Sequence, residues 1–420
     1  MVIFMNDEHK KILRQKRAQE KKAILITILA VLVIALLILS AILFLPDRYD
    51  DTNENSELSS EQTGKDESNV VDNSLEVSNV SDISIDEVSN GNTSSEVSEV
   101  SSDNSDTTSG TDDIVHGWVI NNLGYTYIYG DSGFEQFNAT DTTMNRYATT
   151  INNLAKSLPD GVKIYSMLAP TYIEFVNIPR EIYTADNFYN SSQKNTITKI
   201  NDMLDDSITA INIYDKISSH SSEYLYFRTD INWTSLAAYY AYNDFASAAG
   251  FSQISLNEVS KQQYENYLGR FYSATNEDTL ADNPDTIEYY LTDPNNACDL
   301  TIYHNGNTYS SYKVSGNSVT ASANAYNIFL GMDAEYFKIT TAASSGKKLL
   351  IVADTSAAPF VPYLVNAYSE IHYVNPNHFK ENLSVFATGK DIDEVLFLSY
   401  TTNANRQAYT TVLSKLDGVS

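Results

Sequence analysis

LLIVADTSAAPF, residues 349–360, is the stretch whose reading decides the fold class. Leu349, Leu350, Ile351 and Val352 form an uninterrupted apolar run bounded by polar residues, the pattern of a strand buried on both faces. The run ends at Asp354-Thr355, so a carboxylate and a hydroxyl stand at a strand end, where open α/β sheets carry their sites. A second segment that bears on the site is RTDINWT at residues 228–234, which contains Asp230.

Around these segments, strands and helices alternate. Residues 118–121 and 125–129 flank NNLG and read as a hairpin or two short strands. Residues 143–158 carry Met144, Tyr147, Ile151 and Leu154 on one helical face. Residues 162–168 read as a strand closed by Ala169-Pro170, since proline disfavours a preceding helical residue. A helix over 197–208, a strand over 210–214, and then strands over 347–353, 370–374 and 394–399 with a helix over 358–367 complete the pattern. This order predicts a layered α/β domain with a mostly parallel sheet. Residues 264–337, rich in Asn, Asp, Thr and Tyr in short alternating runs, read as a β-rich insertion.

The chain has 420 residues, a formal charge of -27, 30 tyrosines and a single cysteine, Cys298. No intrachain disulfide framework and no CxxC metal site can form, so an ordinary core must hold the domain over 114–420. Residues 23–45 carry no charge and, at about 1.5 Å per residue, are long enough to cross a hydrocarbon core of about 30 Å. The lysines and arginines within 1–22 favour a cytoplasmic N-terminus, and no small-residue cleavage site follows the apolar run. Residues 46–113 are acidic and rich in Ser, Asn and Asp, with too little apolar area to offset ordering entropy. They read as a disordered tether reaching about 40–50 Å. The expected placement is a single pass through the cell membrane with the C-terminal domain extracellular. An acidic chain without a basic patch excludes nucleic acid as a partner. Exposed tyrosines can stack on sugar rings, although sheet faces alone also account for many of them.

At the level of motifs the sequence resembles the DHHW family, extracellular SGNH-hydrolase-like proteins related to the alginate O-acetyltransferases. Thr229-Asp230-Ile231-Asn232-Trp233-Thr234 is similar to the family's Thr-Asp-x-His-Trp-Thr signature, and Asp354-Thr355 to its Asp-Ser pair. Ala169-Pro170, the segments 269–273 and 285–290, and the strand over 371–376 match as well. The resemblance implies an SGNH-like fold and a triad at Asp230, Asn232 and Thr355, with the histidine and serine positions replaced. The Asn232 carboxamide offers no titratable base, and Thr355 carries a methyl group that crowds attack and still needs activation.

Several alternatives stand beside that reading. Ser356 is a neighbouring hydroxyl, and His372 or His378, or less directly His116, His220 or His304, offers a relocated base. Asp354 and Asp230 fit a cation or, more simply, caps on backbone donors. Trp233 suits packing better than ligand stacking. No cofactor or metal is expected. The expected function is that of a catalytically impaired protein that binds cell-envelope polysaccharide or assists its modification, with that polysaccharide or glycan-modifying membrane proteins as its partners. The alternatives are an active O-acetyl esterase or acetyltransferase using Thr355, and a surface structural or adhesion protein.

Overall fold

The structure, a computed structural model, describes residues 114–121, 124–292 and 298–418. The membrane-helix and tether readings, over 23–45 and 46–113, lie outside the described residues. Among the described residues no helix is long and apolar enough to cross a membrane.

The chain opens with an antiparallel meander of β1 (His116–Asn121), β2 (Gly124–Tyr129) and β3 (Ser132–Phe134), as the NNLG turn predicts. The main sheet begins with the parallel pair β4 (Lys163–Ala169) and β5 (Ile208–Ile211). Next, β6 (Ser260–Tyr267) and β7 (Asp285–Leu291) form a separate antiparallel ribbon. The strands β8 (Asp299–His304), β9 (Asn307–Ser311) and β10 (Tyr336–Thr340) precede the final parallel set, β11 (Lys348–Val352), β12 (Glu370–Val374) and β13 (Glu394–Tyr400). Together they give an eight-stranded sheet in the order β5-β4-β13-β11-β12-β10-β8-β9. The first five strands run parallel and the last three antiparallel.

The sheet is therefore mixed rather than mostly parallel, and the β-rich insertion is not a body apart. β8, β9 and β10 extend the main sheet through β12, while only β6 and β7 stand outside it. Phe337 and Ile339 of β10 present apolar side chains to the same core as Ile371 and Tyr373 of β12, so the sheet continues through them.

Helices cover both faces. α1 (Asp141–Ser157) starts at a Thr140/Thr143 capping box, with Asp141 in its first turn and Lys156 in its last, each of the sign the helix dipole favours. α2 (Gln193–Asp202) starts earlier than the periodicity suggests because the Ser192 side chain caps Asn195 N–H. These two helices pack Met144, Ile151, Leu154, Ile197 and Ile200 on Ile164, Leu350, Val352, Val395 and Phe397. α3 (Ser235–Ala249) is capped by Thr234 and lays Ala237, Ala241 and Phe245 on the other face, against Leu349, Ile351, Leu396 and Leu398. Alternation along each strand divides its side chains between the two layers. The remaining helices used below are α4 (Arg270–Thr275), α5 (Leu383–Lys390), α6 (Thr401–Asn405) and α7 (Gln407–Ser414).

The helix expected over 358–367 is absent. A 3-10 turn, Val361–Leu364, stands there instead, preceded by another at Thr355–Ala357. Pro359 and Pro362 lack the N–H groups that an α-helical ladder would need. The order of the parallel strands matters for the site. The chain steps from β4 out to β5 on one side and from β11 out to β12 on the other, and β13 returns between them. Sheets wound in both directions leave a crevice at the carboxyl ends of the strands where the winding reverses.

Candidate active site

Thr355 stands at that crevice, just beyond β11, and is half-buried. Asp354 caps the turn that follows: its Oδ1 accepts from Ser356 N–H at 3.0 Å, its Oδ2 from the Asn403 carboxamide on α6. Its carbonyl accepts from the Tyr373 hydroxyl. Burial pushes the Asp354 carboxyl above the usual range despite these donors and the nearby positive charge of Arg270. Capping is thus the visible role of Asp354. Ser356 faces inward, 1% exposed, and its hydroxyl makes no hydrogen bond.

The other half of the site is the loop around Asp230, closed by an antiparallel bridge between Tyr226 and Trp233. Asp230 is buried and receives Asn232 N–H at 2.9 Å on Oδ1, and Tyr267 O–H and Arg270 N–H, each at 2.7 Å, on Oδ2. Burial raises its carboxyl above the usual range, against the pull of those three donors. The close fit depends on Gly269, because a Cβ there would lie 2.3 Å from Asp230 Oδ2.

Trp233 joins the halves. Its indole N–H donates to the Ser356 carbonyl at 2.8 Å, and its own N–H donates to the Tyr400 hydroxyl at the end of β13 at 2.8 Å. It is fully buried, so it packs and clasps rather than presenting a ring to a ligand. The loop holding Asp230 and Asn232 is thereby fixed to the turn holding Thr355. Among the described residues, neither the Asn232 carboxamide nor the Thr355 hydroxyl has a hydrogen-bond partner.

A cavity of about 360 Å³ opens beside this seam, lined by Asp354, Arg270, Asn403, Arg406, Glu135 and Tyr400 among others. Arg406 is tied to Glu135 and, at 3.4 Å, to Asn403. Arg270 anchors Asp230 through its backbone, while its exposed guanidinium has no ion-pair partner among the described residues. Asn403 and Arg406 lie far from both motifs in the chain and carry no local signal. Arg270 and Asp285 fall within segments quoted for the resemblance, but nothing in their spacing assigns them a task.

The histidines are engaged elsewhere. His372 alternates on β12 with Ile371 and Tyr373, so it faces the layer holding Phe386, away from Trp233. Both of its nitrogens are occupied, Nδ1 by Tyr336 O–H and Nε2 by Glu370, each at 2.7 Å. His378 meets Asp333 at 3.4 Å, His116 meets Asp186, His220 stacks on Tyr240, and His304 lies against Asn305. None of these five rings is bonded to Thr355.

His372 has a consequence for stability. Burial lowers its pKa to about 4, against the Glu370 carboxylate that favours the cation. Burial also opposes ionisation of Glu370, but bonds with Lys338 and His372 hold that carboxyl below its usual range. A histidine whose folded pKa is depressed binds its proton more readily when unfolded. Its contribution is full above about pH 6.5 and is lost as pH falls toward about 4, at no more than about 1.4 kcal/mol per pH unit. Thermal unfolding should therefore show a lower Tm near about pH 5 than near about pH 7, and His372→Gln should reduce that difference.

A family model described as DHHW protein matches residues 51–374 of this chain. The fold is similar to a DHHW family protein from Eubacterium siraeum, at 25% identity and a TM-score of 0.62, covering 71% of this chain and 96% of that one. It is also similar to Bacillus cereus PatB1 with a sulfonyl adduct, at 16% identity and a TM-score of 0.55, covering 68% and 96%. A more distant likeness reaches the O-acetyltransferase domain of AlgJ from Pseudomonas putida, at 12% identity and a TM-score of 0.41, covering 71% and 99%. Among curated proteins none matches.

Proposed function

The chain belongs to the DHHW family, and from that premise we propose that it is a membrane-anchored, extracellular SGNH-like protein, catalytically impaired, that binds cell-envelope polysaccharide or assists its modification. The observation that carries the reading is the Thr355 hydroxyl, placed at the strand-end crevice with no basic side chain bonded to it. A hydroxyl attacks an acyl carbon only if a base takes its proton as the bond forms, and a carboxamide at position 232 cannot do so. Asp230, which would orient an imidazole, instead receives three protein donors and serves as a structural hub. The cavity beside the seam keeps polar groups of both charge signs, suited to holding a hydroxyl-rich chain.

The test uses the full-length chain in detergent with 4-nitrophenyl acetate as substrate. Wild type and Thr355→Ala should hydrolyse it at the same background rate, and both should retain binding to isolated wall polysaccharide. A wild-type rate clearly above that of Thr355→Ala would select the active O-acetyl esterase or acetyltransferase reading. Loss of polysaccharide binding in both would leave the structural or adhesion reading.

A further inference from the structure

A larger cavity, about 640 Å³, lies under the β8–β9 turn, apart from the two motif segments. Because β8 and β12 are both antiparallel to β10, they point the same way as β11 and β13. The carboxyl ends of β8 and β12 therefore share one sheet edge with the Thr355 crevice. Asn377, on the loop after β12, lines both cavities.

This cavity is a built feature. Tyr303 and Tyr336 face each other across β8 and β10 and stack with centroids 4.8 Å apart and ring planes 13° from parallel. Phe386 supports Tyr336 edge-on at 5.1 Å. The roof is the Asn305-Gly306 turn, whose positive φ angles of 50° and 74° suit asparagine and glycine, and Glu335 pins it by accepting Asn305 N–H at 2.9 Å. Around the aromatic floor stand Asn307, His378, Lys380 and Glu381, which offer donors and acceptors with positive and negative charge in balance. A concave site of several hundred cubic ångströms, with the half-buried Tyr303 ring at its floor, backed by the buried Tyr336 and Phe386, and mixed polar groups at the rim, matches a ligand that is apolar on its ring faces and hydroxylated at its edges.

We infer that this cavity is a saccharide subsite that holds the continuation of a glycan chain running from the Thr355 crevice over Asn377. The inference rests on the polysaccharide-binding reading and adds where the chain lies and which residues hold it. The Tyr-rich insertion, through β8 and the β8–β9 turn, then supplies the second half of a long groove.

The experiment is a titration of the full-length chain in detergent with short and long members of three probe series: chito-oligosaccharides, cello-oligosaccharides, and wall glycan strands freed of peptide. In the series that binds, long chains should bind wild type about tenfold or more tightly than short ones. Tyr303→Leu and Lys380→Ala should reduce long-chain affinity to the short-chain level and leave short-chain binding unchanged. Lys380 is exposed, so its variant stays informative even if Tyr303→Leu folds poorly. Equal affinity for short and long chains, or long-chain binding untouched in Lys380→Ala and in any folded Tyr303→Leu, overturns the subsite while the polysaccharide-binding reading stands. Failure of wild type to bind every probe overturns both.

Discussion

Replacing Asn232 by His and Thr355 by Ser in one molecule should raise hydrolysis of 4-nitrophenyl acetate about 100-fold or more over wild type, the usual contribution of a positioned general base. Each single change should stay near background, because a hydroxyl without a base and a base without an accessible nucleophile are each inert. The structure favours the outcome in two ways. The Asp230 carboxylate has about four lone-pair sites and receives three donors, so one acceptor position remains for an imidazole N–H at position 232. The loop carrying position 232 is already held to the turn carrying position 355 through the Trp233 indole. A second readout avoids weak turnover: a sulfonyl fluoride should leave an adduct at position 355 in the double variant, detected by mass spectrometry, and none in wild type. If the double variant folds, stays inert and takes no adduct, the missing chemistry lies in the oxyanion-binding groups or the shape of the cleft rather than in these two side chains.

The extent to which the sequence foretold this arrangement follows from the range of the interactions involved. Strand β11, helix α1 and the N-terminal hairpin depend on nearby residues: an apolar run, an apolar face, and an NNLG turn. All three stand where those signals place them. The helix expected over 358–367 fails because Pro359 and Pro362, whose missing N–H groups decide the matter, interrupt its apolar residues. Helix α3 has no legible period although Thr234 marks its start, since Leu236, Tyr239, Tyr240 and Ala248 on its outer side are apolar as well and leave little polar face. That β10 joins β12 is a long-range choice, as is the meeting of Asn403 with Asp354 across 49 positions. The two motif segments were legible as chemistry, but the clasp between them, made by one indole N–H and one tyrosine hydroxyl, required the fold.

Asp285→Ala should be the most damaging single substitution in the site region. Asp285 opens β7, is fully buried, and gathers five donors: Tyr224 O–H, Arg228 N–H and the Arg228 guanidinium on one oxygen, and Thr229 N–H at 2.8 Å and Thr229 O–H at 2.6 Å on the other. The Thr229 hydroxyl in turn accepts Gly269 N–H at 2.9 Å, the glycine against which Asp230 is packed. Removing the carboxylate leaves the two buried Thr229 donors unmatched and half of the Arg228 charge pairing undone. The expected cost is about 3–5 kcal/mol, a large share of a domain's stability. Asp285→Asn keeps one accepting oxygen but turns an NH₂ group toward two of the donors, so it should cost less than alanine and more than about 1 kcal/mol. Urea unfolding of the two variants gives the ordering directly. If Asp285→Ala unfolds within about 1 kcal/mol of wild type, the Thr229 and Arg228 donors have found other acceptors, and the segment bearing Asp230 and Asn232 is held by Trp233 and Gly269 rather than from β7.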